Sequence, residues 1–149
     1  MIRQFQSEDA APCCSLIHAC LEGDASYPPA VRRQILSGET ALSMTERARL
    51  FYVAVYELEN RVAGVAGLDM NEIRMVYVAP EHQRRGIGRA MIGHFKSMVP
   101  ATLFADIFVY SSIQAVAFYK ACGFIEKGSF CFDLGGESLP TIFMTFPLR

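Results

Sequence analysis

Residues 72–98 read EIRMVYVAP, then EHQRRGIGR, then AMIGHFKSM, and this stretch decides the fold. Its first part, Glu72 to Val78, is an apolar run with β-branched residues, which predicts a strand that ends before Pro80. A loop of charged residues and glycine follows. Apolar residues then recur at three- and four-residue steps, which predicts an amphipathic helix from near Arg85 to a stop at Pro100. These apolar positions are Ile87, Ala90, Met91, Phe95 and Met98.

The loop before this helix has the features of an anion-binding site. Gly86 and Gly88 lack a Cβ, so a ligand can approach the main chain closely. The unpaired N–H groups in the first turn of a helix attract negative charge, and Arg84, Arg85 and Arg89 add positive charge around them. The sequence therefore predicts that the loop binds a phosphate or a pyrophosphate.

Two motifs resemble those of the GNAT acyltransferases. Residues 83–88, QRRGIG, fit the pattern Q/R-x-x-G-x-G/A with which that family holds the pyrophosphate of acetyl-coenzyme A. Downstream, residues 118–124, FYKACGF, match its FYxxxGF signature, and EIRMVYVAP looks like its fourth strand. Because both motifs occur in the family's order and on the element types it requires, the resemblance extends over Val53 to Phe124.

This resemblance implies one α/β domain, residues 1–149, with a mixed sheet of about seven strands and helices on both faces. It also implies that the fourth and fifth strands splay apart, and that the pantetheine arm bonds to the main chain between them as an added strand would. The residues that the resemblance assigns to acetyl-coenzyme A are Val76, Tyr77 and Val78 through their backbone, then Gln83, Arg84, Arg85, Gly86, Ile87, Gly88 and Arg89, and finally Ser112, where many members have asparagine.

Acetyl transfer to an amine needs a base for the ammonium and an acid for the departing thiolate. Tyr119 occupies the tyrosine position of FYxxxGF, and a phenol of pKa ~10 is matched to a thiolate as general acid. Many members of the family carry the base where Glu72 stands, and Asp69 is the next candidate for removing the proton, directly or through a water. Each residue also has a purely structural interpretation. Tyr119 can be an aromatic residue that packs beside Phe118, and Glu72 can be a solvated residue at the start of a strand.

The glycine and arginine loop has two other interpretations. A glycine pair before a helix can be a plain connection, and arginines commonly form a solvated face. The second interpretation is a dinucleotide-binding motif. In that motif the glycines follow the strand directly, and there are three of them. Here Met91 holds that third place and charged residues intervene, so the pattern favours coenzyme A.

Composition restricts the class of protein. A length of 149 residues, a net charge of −1 and 52% hydrophobic residues predict one globular domain and argue against nucleic acid as a main partner. The five cysteines form no CxxC pair, and their odd number argues against a complete disulfide framework. His18, His82 and His94 lack metal-ligand spacing, so no metal is expected. No leader precedes IRQF and no apolar run reaches the ~20 residues of a membrane span, so we expect a cytoplasmic protein.

Periodicity and capping signals predict the flanking elements. Strand 72–78, the helix after it and strand 103–110 predict a parallel strand pair. In a final hairpin, Phe130 and Phe132 are expected to alternate against Ile142, Met144 and Phe146. The other predicted elements are strand 2–5, a helix from 8 to about 21, helices 30–36 and 45–50, strands 51–57 and 62–68, helix 113–121, and hairpin strands 128–134 and 141–146 joined by the turn GGESLP.

Two functional hypotheses remain open from the sequence. The first is an acetyl-CoA-dependent N-acetyltransferase in which the amine attacks the thioester directly, and Tyr119 with a carboxylate favours it. The second is a module that binds the coenzyme but has lost turnover. The near-neutral net charge favours a small amine, an amino acid or a peptide terminus as the acceptor. The segment that contains Tyr27, Arg32, Arg33 and Met44 is expected to face this acceptor. The aromatic hairpin offers an edge for a homodimer, which is common in the family.

Overall fold

The computed structural model describes residues 1–149, which form seven strands and five α-helices. The helices are α1 (Ala10–Glu22), α2 (Pro29–Gly38), α3 (Ala41–Leu50), α4 (Ile87–Met98) and α5 (Val116–Ala121). The strands are β1 (Ile2–Gln4), β2 (Tyr52–Leu58), β3 (Arg61–Asp69), β4 (Glu72–Val78), β5 (Asp106–Ser111), β6 (Ile125–Leu134) and β7 (Glu137–Pro147). None of the helices combines the length and the apolar character needed to span a bilayer.

The strands form one mixed sheet in the order β1-β2-β3-β4-β5-β7-β6. Every neighbouring pair is antiparallel except β4 and β5, which are parallel as predicted for two strands joined through a helix. Only two positions pair in that parallel ladder, Glu72 with Phe108 and Ile73 with Val109. Beyond Ile73 the two strands separate, so the splay implied by the resemblance is confirmed and a gap opens between them.

The two faces of the sheet carry separate cores. On one face α4 packs through Met91, Ile92 and Phe95, whose side chains are fully buried, and α5 packs through Tyr119. On the other face α1 and α3 pack through Ile17 and Met44 onto β2, β3 and β4. No buried residue of that second core comes from β5, β6 or β7. The outer half of the sheet is therefore uncovered by the α1–α3 core.

A β-bulge in β4 turns its side chains at the point where the gap begins. Ile73 pairs with Leu68 and Met75 pairs with Gly67, which leaves Arg74 without a partner residue in β3. Ile73 consequently packs in the α4–α5 core, whereas Met75, two residues later, packs in the α1–α3 core. The bulge thus fixes which residues of β4 face each side of the gap.

The predicted element types are correct, but several boundaries differ. Helix α4 begins at Ile87 rather than near Arg85, because Gly86 is its N-cap residue. Strand β5 begins at Asp106 rather than 103, because the N–H groups of Leu103 and Phe104 bond to the carbonyl of Pro100 in a turn. Apolar composition alone does not reveal that turn.

The final hairpin differs most from the prediction. Its turn is only Gly135 and Gly136, both at positive φ (59° and 90°), so the strands are longer than expected. Phe130 pairs with Thr141 and Phe132 with Leu139. The predicted alternation of both phenylalanines against Ile142, Met144 and Phe146 is therefore wrong, since those three side chains pack on the opposite face in the α4–α5 core.

Candidate active site

A cavity of about 790 Å³ occupies the gap between β4 and β5. One end is lined by the loop before α4, and the other by the α1–α2 segment and the β6–β7 hairpin. The cavity therefore connects the predicted anion site with the region predicted to receive the acceptor. The residues that line the cavity include Asp24, Tyr27, Ile35, Arg74, Val76, Tyr77, Val78, Gln83, Arg84, Gly86, Ile87, Gly88, Arg89, Tyr110, Ser112, Tyr119, Leu134, Leu139 and Thr141.

Strand β4 directs part of its main chain into the gap. The N–H of Ala79 bonds to the carbonyl of Ala63 in β3 at 2.9 Å. Because direction alternates along a strand, the main chain of Tyr77 is also directed at β3, and that of Val76 and Val78 at the gap. Val76, and Val78 through its N–H, therefore present backbone groups to which an extended ligand can bond. Tyr77 also lines the cavity, but its main chain pairs with β3, so its predicted backbone contact with the coenzyme does not fit this geometry.

The carbonyl of Val78 ties the strand to both walls of the cavity. It accepts bonds from the Cys20 thiol of α1 at 3.1 Å and from the Gln83 amide at 3.0 Å. The glutamine at the first position of QRRGIG thus holds the loop against the end of β4. Burial raises the pKa of the Cys20 thiol to about 11, so this sulfur remains a hydrogen-bond donor at neutral pH.

The start of α4 has the geometry of an anion site. Gly86 has φ 86°, and nothing lies within 4 Å of the position a Cβ would take there. The first helical bond runs from the N–H of Ala90 to the carbonyl of Gly86. The N–H groups of Ile87, Gly88 and Arg89 therefore have no acceptor within the helix, and the space before them is open.

The three arginines of this loop differ in position. Arg84, at φ 63°, and Arg89 line the cavity. Arg85 is exposed and does not line it, so its assignment to the coenzyme remains a prediction. The protein therefore offers two cations and three free N–H groups to an anion, a set that fits the diphosphate of coenzyme A.

Gly88 joins the two sequence motifs physically. A Cβ on Gly88 would lie 3.0 Å from the ring of Phe118, the first residue of FYKACGF. The second glycine of QRRGIG therefore allows α4 to approach the Phe118 ring of α5 closely. This contact joins the two motifs in the folded chain.

Tyr119 lines the cavity through α5 and is only 5% exposed. Its ring packs edge-on against Phe118 and Phe124, with centroids 5.1 and 5.4 Å away, and its hydroxyl makes no hydrogen bond within the protein. Burial raises the pKa of Tyr119 well above its usual range, and neighbouring Tyr77 and Cys122 raise it further. The phenol is therefore protonated at neutral pH, and its role as a proton donor stays a prediction.

Glu72 lies just beyond the wall of the cavity. Its carboxylate is 3.7 Å from the guanidinium of Arg74, which does line the cavity, and Asp69 lies 3.5 Å from the same group. Burial raises the pKa of Glu72, with Asp69 adding to the shift and Arg74 opposing it. Both candidate bases thus contact Arg74, which lines the cavity, and do not line it themselves. Their role stays a prediction.

The opposite wall was only partly anticipated. Tyr27 lines the cavity, but Arg32 and Arg33 do not, and Met44 is fully buried in the α1–α3 core. Burial raises the pKa of Tyr27 while the adjacent hydroxyl of Ser112 lowers it, so these two residues meet at the cavity. Six further residues line the cavity but were not predicted to do so, because no local motif marks them: Asp24, Ile35, Tyr110, Leu134, Leu139 and Thr141.

Two of the three histidines have hydrogen-bond partners outside the cavity. The ring of His18 bonds to the carbonyl of Glu39 at 2.6 Å, and His94 bonds to the hydroxyl of Tyr52 at 2.9 Å. His82 lies in the turn after β4, and its buried Nδ1 has no hydrogen-bond partner. No group of three or more His, Cys, Asp or Glu side chains is arranged to hold a metal ion.

Comparison with known proteins identifies the family. The family model of the acetyltransferase (GNAT) domain matches residues 25–140, most of the chain. This chain is a member of the GNAT family. As a GNAT protein it is an acyltransferase that takes acetyl-CoA as its co-substrate. No curated protein sequence matches the chain.

Solved structures share the GNAT fold over the whole length. A GCN5-related N-acetyltransferase from Rhodopseudomonas palustris is 22% identical with a TM-score of 0.92, over 99% of this chain and 95% of that one. PaiA N-acetyltransferase from Thermoplasma acidophilum, in complex with coenzyme A, is 14% identical with a TM-score of 0.78, over 99% and 98%. Ribosomal-protein-alanine N-acetyltransferase from Brucella melitensis is 20% identical with a TM-score of 0.69, over 99% of both chains. At these identities the similarity establishes the fold.

Proposed function

We propose that this protein is an N-acetyltransferase that transfers the acetyl group of acetyl-CoA to a primary amine of a small molecule, an amino acid or a peptide. The observation that carries the proposal is Tyr119, a protonated phenol in the same cavity as the anion site at the start of α4. A protein that only bound the coenzyme would not need a proton donor at that place.

Different residues of the cavity have different proposed roles in binding acetyl-CoA. The N–H groups of the first turn of α4, with Arg84 and Arg89, hold the diphosphate, and Gln83 fixes the loop that presents them. The main chain of Val76 and Val78 bonds the pantetheine arm, with the Ser112 hydroxyl beside it. Acetyl-CoA supplies an activated thioester there, and the amine attacks its carbonyl carbon directly.

Two proton transfers complete the proposed reaction. The amine must lose a proton before it attacks, and Glu72, with Asp69 as the alternative, receives that proton directly or through a water. Tyr119 donates its proton to the sulfur when the carbon–sulfur bond breaks. No covalent intermediate on the protein is needed, because both reactants lie in one cavity.

A thiol-release assay with acetyl-CoA and a panel of amines tests the proposal. The panel includes peptide N-termini, because a ribosomal-protein-alanine N-acetyltransferase is among the structurally similar proteins. Tyr119→Phe is expected to lower kcat about a hundredfold and leave the Kd of coenzyme A unchanged. Tyr56→Phe, a tyrosine of β2 outside the cavity, is the matched control. Coenzyme binding with no thiol release from any amine would show the alternative, a binding module without turnover.

The expected cytoplasmic location and homodimer belong to the same proposal. Cell fractionation tests the first, and sedimentation velocity of the full chain tests the second.

A further inference from the structure

Five aromatic side chains form a continuous surface on the outer half of the sheet. This aromatic surface consists of Phe108, Tyr110, Phe130, Phe132 and Phe143. Tyr110 is at its centre, with ring centroids 5.2 Å from Phe143, 5.3 Å from Phe132 and 5.6 Å from Phe130. The ring of Phe108 lies 5.8 Å from that of Phe143. The rings meet in tilted and edge-on orientations, the geometry by which aromatic groups attract one another.

This surface is partly open to solvent. Phe130 is 49% exposed and Phe132 is 37% exposed, whereas the other three rings are half-buried. No buried residue of the α1–α3 core comes from these strands, and α2 contacts β6 and β7. On this face no charged side chain accompanies the rings in β7 from Leu139 to Thr145 or in β6 from Gly128 to Leu134. A cluster of exposed rings without charge costs solubility, and such surfaces in soluble proteins commonly bind a ligand or a partner.

The aromatic surface is continuous with the cavity. Tyr110 belongs to both, and Leu139 and Thr141, on the same face of β7, also line the cavity. From Tyr110 the surface crosses β7 to β6, a distance of about 10 Å at the usual spacing of strands. A molecule with its amine at the β4–β5 gap would therefore extend along the aromatic surface.

We propose that the aromatic surface binds the body of the acceptor, and that the preferred acceptor is a primary amine joined by a short chain to an aromatic ring. This inference rests on the proposed N-acetyltransferase function and names its class of acceptor. The rings match an aryl group through burial and edge-on contacts. The only carboxylates on this face of β4 and β5, Glu72 and Asp106, lie at its Phe108 end, away from Phe130 and Phe132, and Asp24 is the only acid among the residues that line the cavity.

The test compares two acceptors that share the same reacting end, 4-phenylbutylamine and n-butylamine. The wild-type protein is expected to show a kcat/KM for the aryl amine about tenfold or more above that for the alkyl amine. Phe130→Ser/Phe132→Ser is expected to reduce this ratio about tenfold. Phe130→Leu/Phe132→Leu, which keeps the apolar volume and the fold but removes the rings, is expected to reduce it less. Leu42→Ser, at an exposed leucine of α3, is the matched control that keeps the wild-type ratio.

Equilibrium binding separates this inference from the proposed function. Calorimetry of 4-phenylbutylamine with the coenzyme A-bound protein is expected to show binding that the double serine variant weakens about tenfold. If that result appears while no amine is turned over, the aromatic surface binds its ligand and the proposed function fails. A wild-type ratio near one overturns the inference. A dimer that Phe130→Ser/Phe132→Ser converts to monomer in sedimentation, with the acceptor ratio unchanged, overturns it too and assigns the surface to a second copy.

Discussion

Gly88 lies against Phe118 so closely that a Cβ at position 88 would stand 3.0 Å from the ring. Gly88→Ala is therefore expected to lower the free energy of unfolding by about 1–3 kcal/mol, because the half-buried ring of Phe118 must shift to make room. Gly93→Ala, in the same helix at an exposed position with nothing within 4 Å, is expected to raise it by about 0.5–1 kcal/mol. Urea unfolding measures both, and equal stability of Gly88→Ala and wild type would contradict the packing argument.

The arginines of the loop provide a test of which cations meet the coenzyme. Arg84→Ala and Arg89→Ala each remove a cation that lines the cavity, and each is expected to raise the Kd of coenzyme A about tenfold. Arg85→Ala, one position away and outside the lining, is expected to change it by less than about twofold. Calorimetry at low and high salt measures the effects, which shrink as salt increases. An equal loss in Arg85→Ala would support the assignment made from the sequence motif.

The acid side of the pH–rate profile is expected to report Glu72. A base must be ionised to act, so kcat/KM falls as the pH decreases through the pKa of Glu72, which burial holds above the usual 4.5. Glu72→Gln is expected to lower kcat/KM and to remove that decline. Asp69→Asn is the matched comparison, since Asp69 contacts the same Arg74. If Asp69→Asn removes the decline instead, Asp69 is the base.

Stability at low pH is expected to depend on Asp9. Burial raises the pKa of this carboxyl, but bonds from Arg3 at 2.8 and 3.0 Å and from the Gln6 N–H at 2.8 Å outweigh it, so the pKa lies below the usual 3.8. The stabilisation is present above pH 3.8 and is lost as the pH falls through the lower folded pKa.

Asp9→Asn is accordingly expected to lower the free energy of unfolding by about 2 kcal/mol at pH 7, with a smaller difference at pH 2. The exposed neighbour Glu8, changed to Gln, serves as the control in the same urea titrations. A loss of equal size at both pH values would indicate altered packing rather than charge.

The central unit was predictable because each of its signals is local. The β-branched run of β4, the glycines of the loop and the helical spacing of α4 lie within one stretch of sequence, and all of them agree. The boundary at 103 was wrong because Leu103 and Phe104 have the composition of a strand but lie in a turn closed on Pro100. Composition cannot report a hydrogen bond of that kind.

The hairpin shows how one local error changes a surface. The stretch GGESLP suggests a long turn, whereas the chain turns within Gly135 and Gly136 and pairs Phe132 with Leu139. Register decides the face of every side chain in a strand, so Phe130 and Phe132 lie opposite to the core that was expected to receive them. The aromatic surface could not be recognised without that register.

The site was predicted on one side only. Motifs mark Tyr119 and, except for Arg85, the lining residues of the range 83–89, but Asp24, Ile35 and Leu134 reach the same cavity from distant parts of the chain. Their proximity depends on the packing of α1, α2 and the hairpin over the sheet. Arg85 illustrates the converse, because a residue inside a motif lies outside the cavity.

The short ladder between β4 and β5 affects how firmly the two parts of the sheet are held together. Only Glu72 and Ile73 of β4 pair with β5. Strands β1 to β4 and strands β5 to β7 are therefore two parts of the sheet that are joined at only two paired positions. An extended ligand bonded to Val76 and Val78 would lengthen the connection between these two parts of the sheet. Coenzyme binding is therefore expected to stabilise the sheet and to slow amide hydrogen exchange at the end of β4.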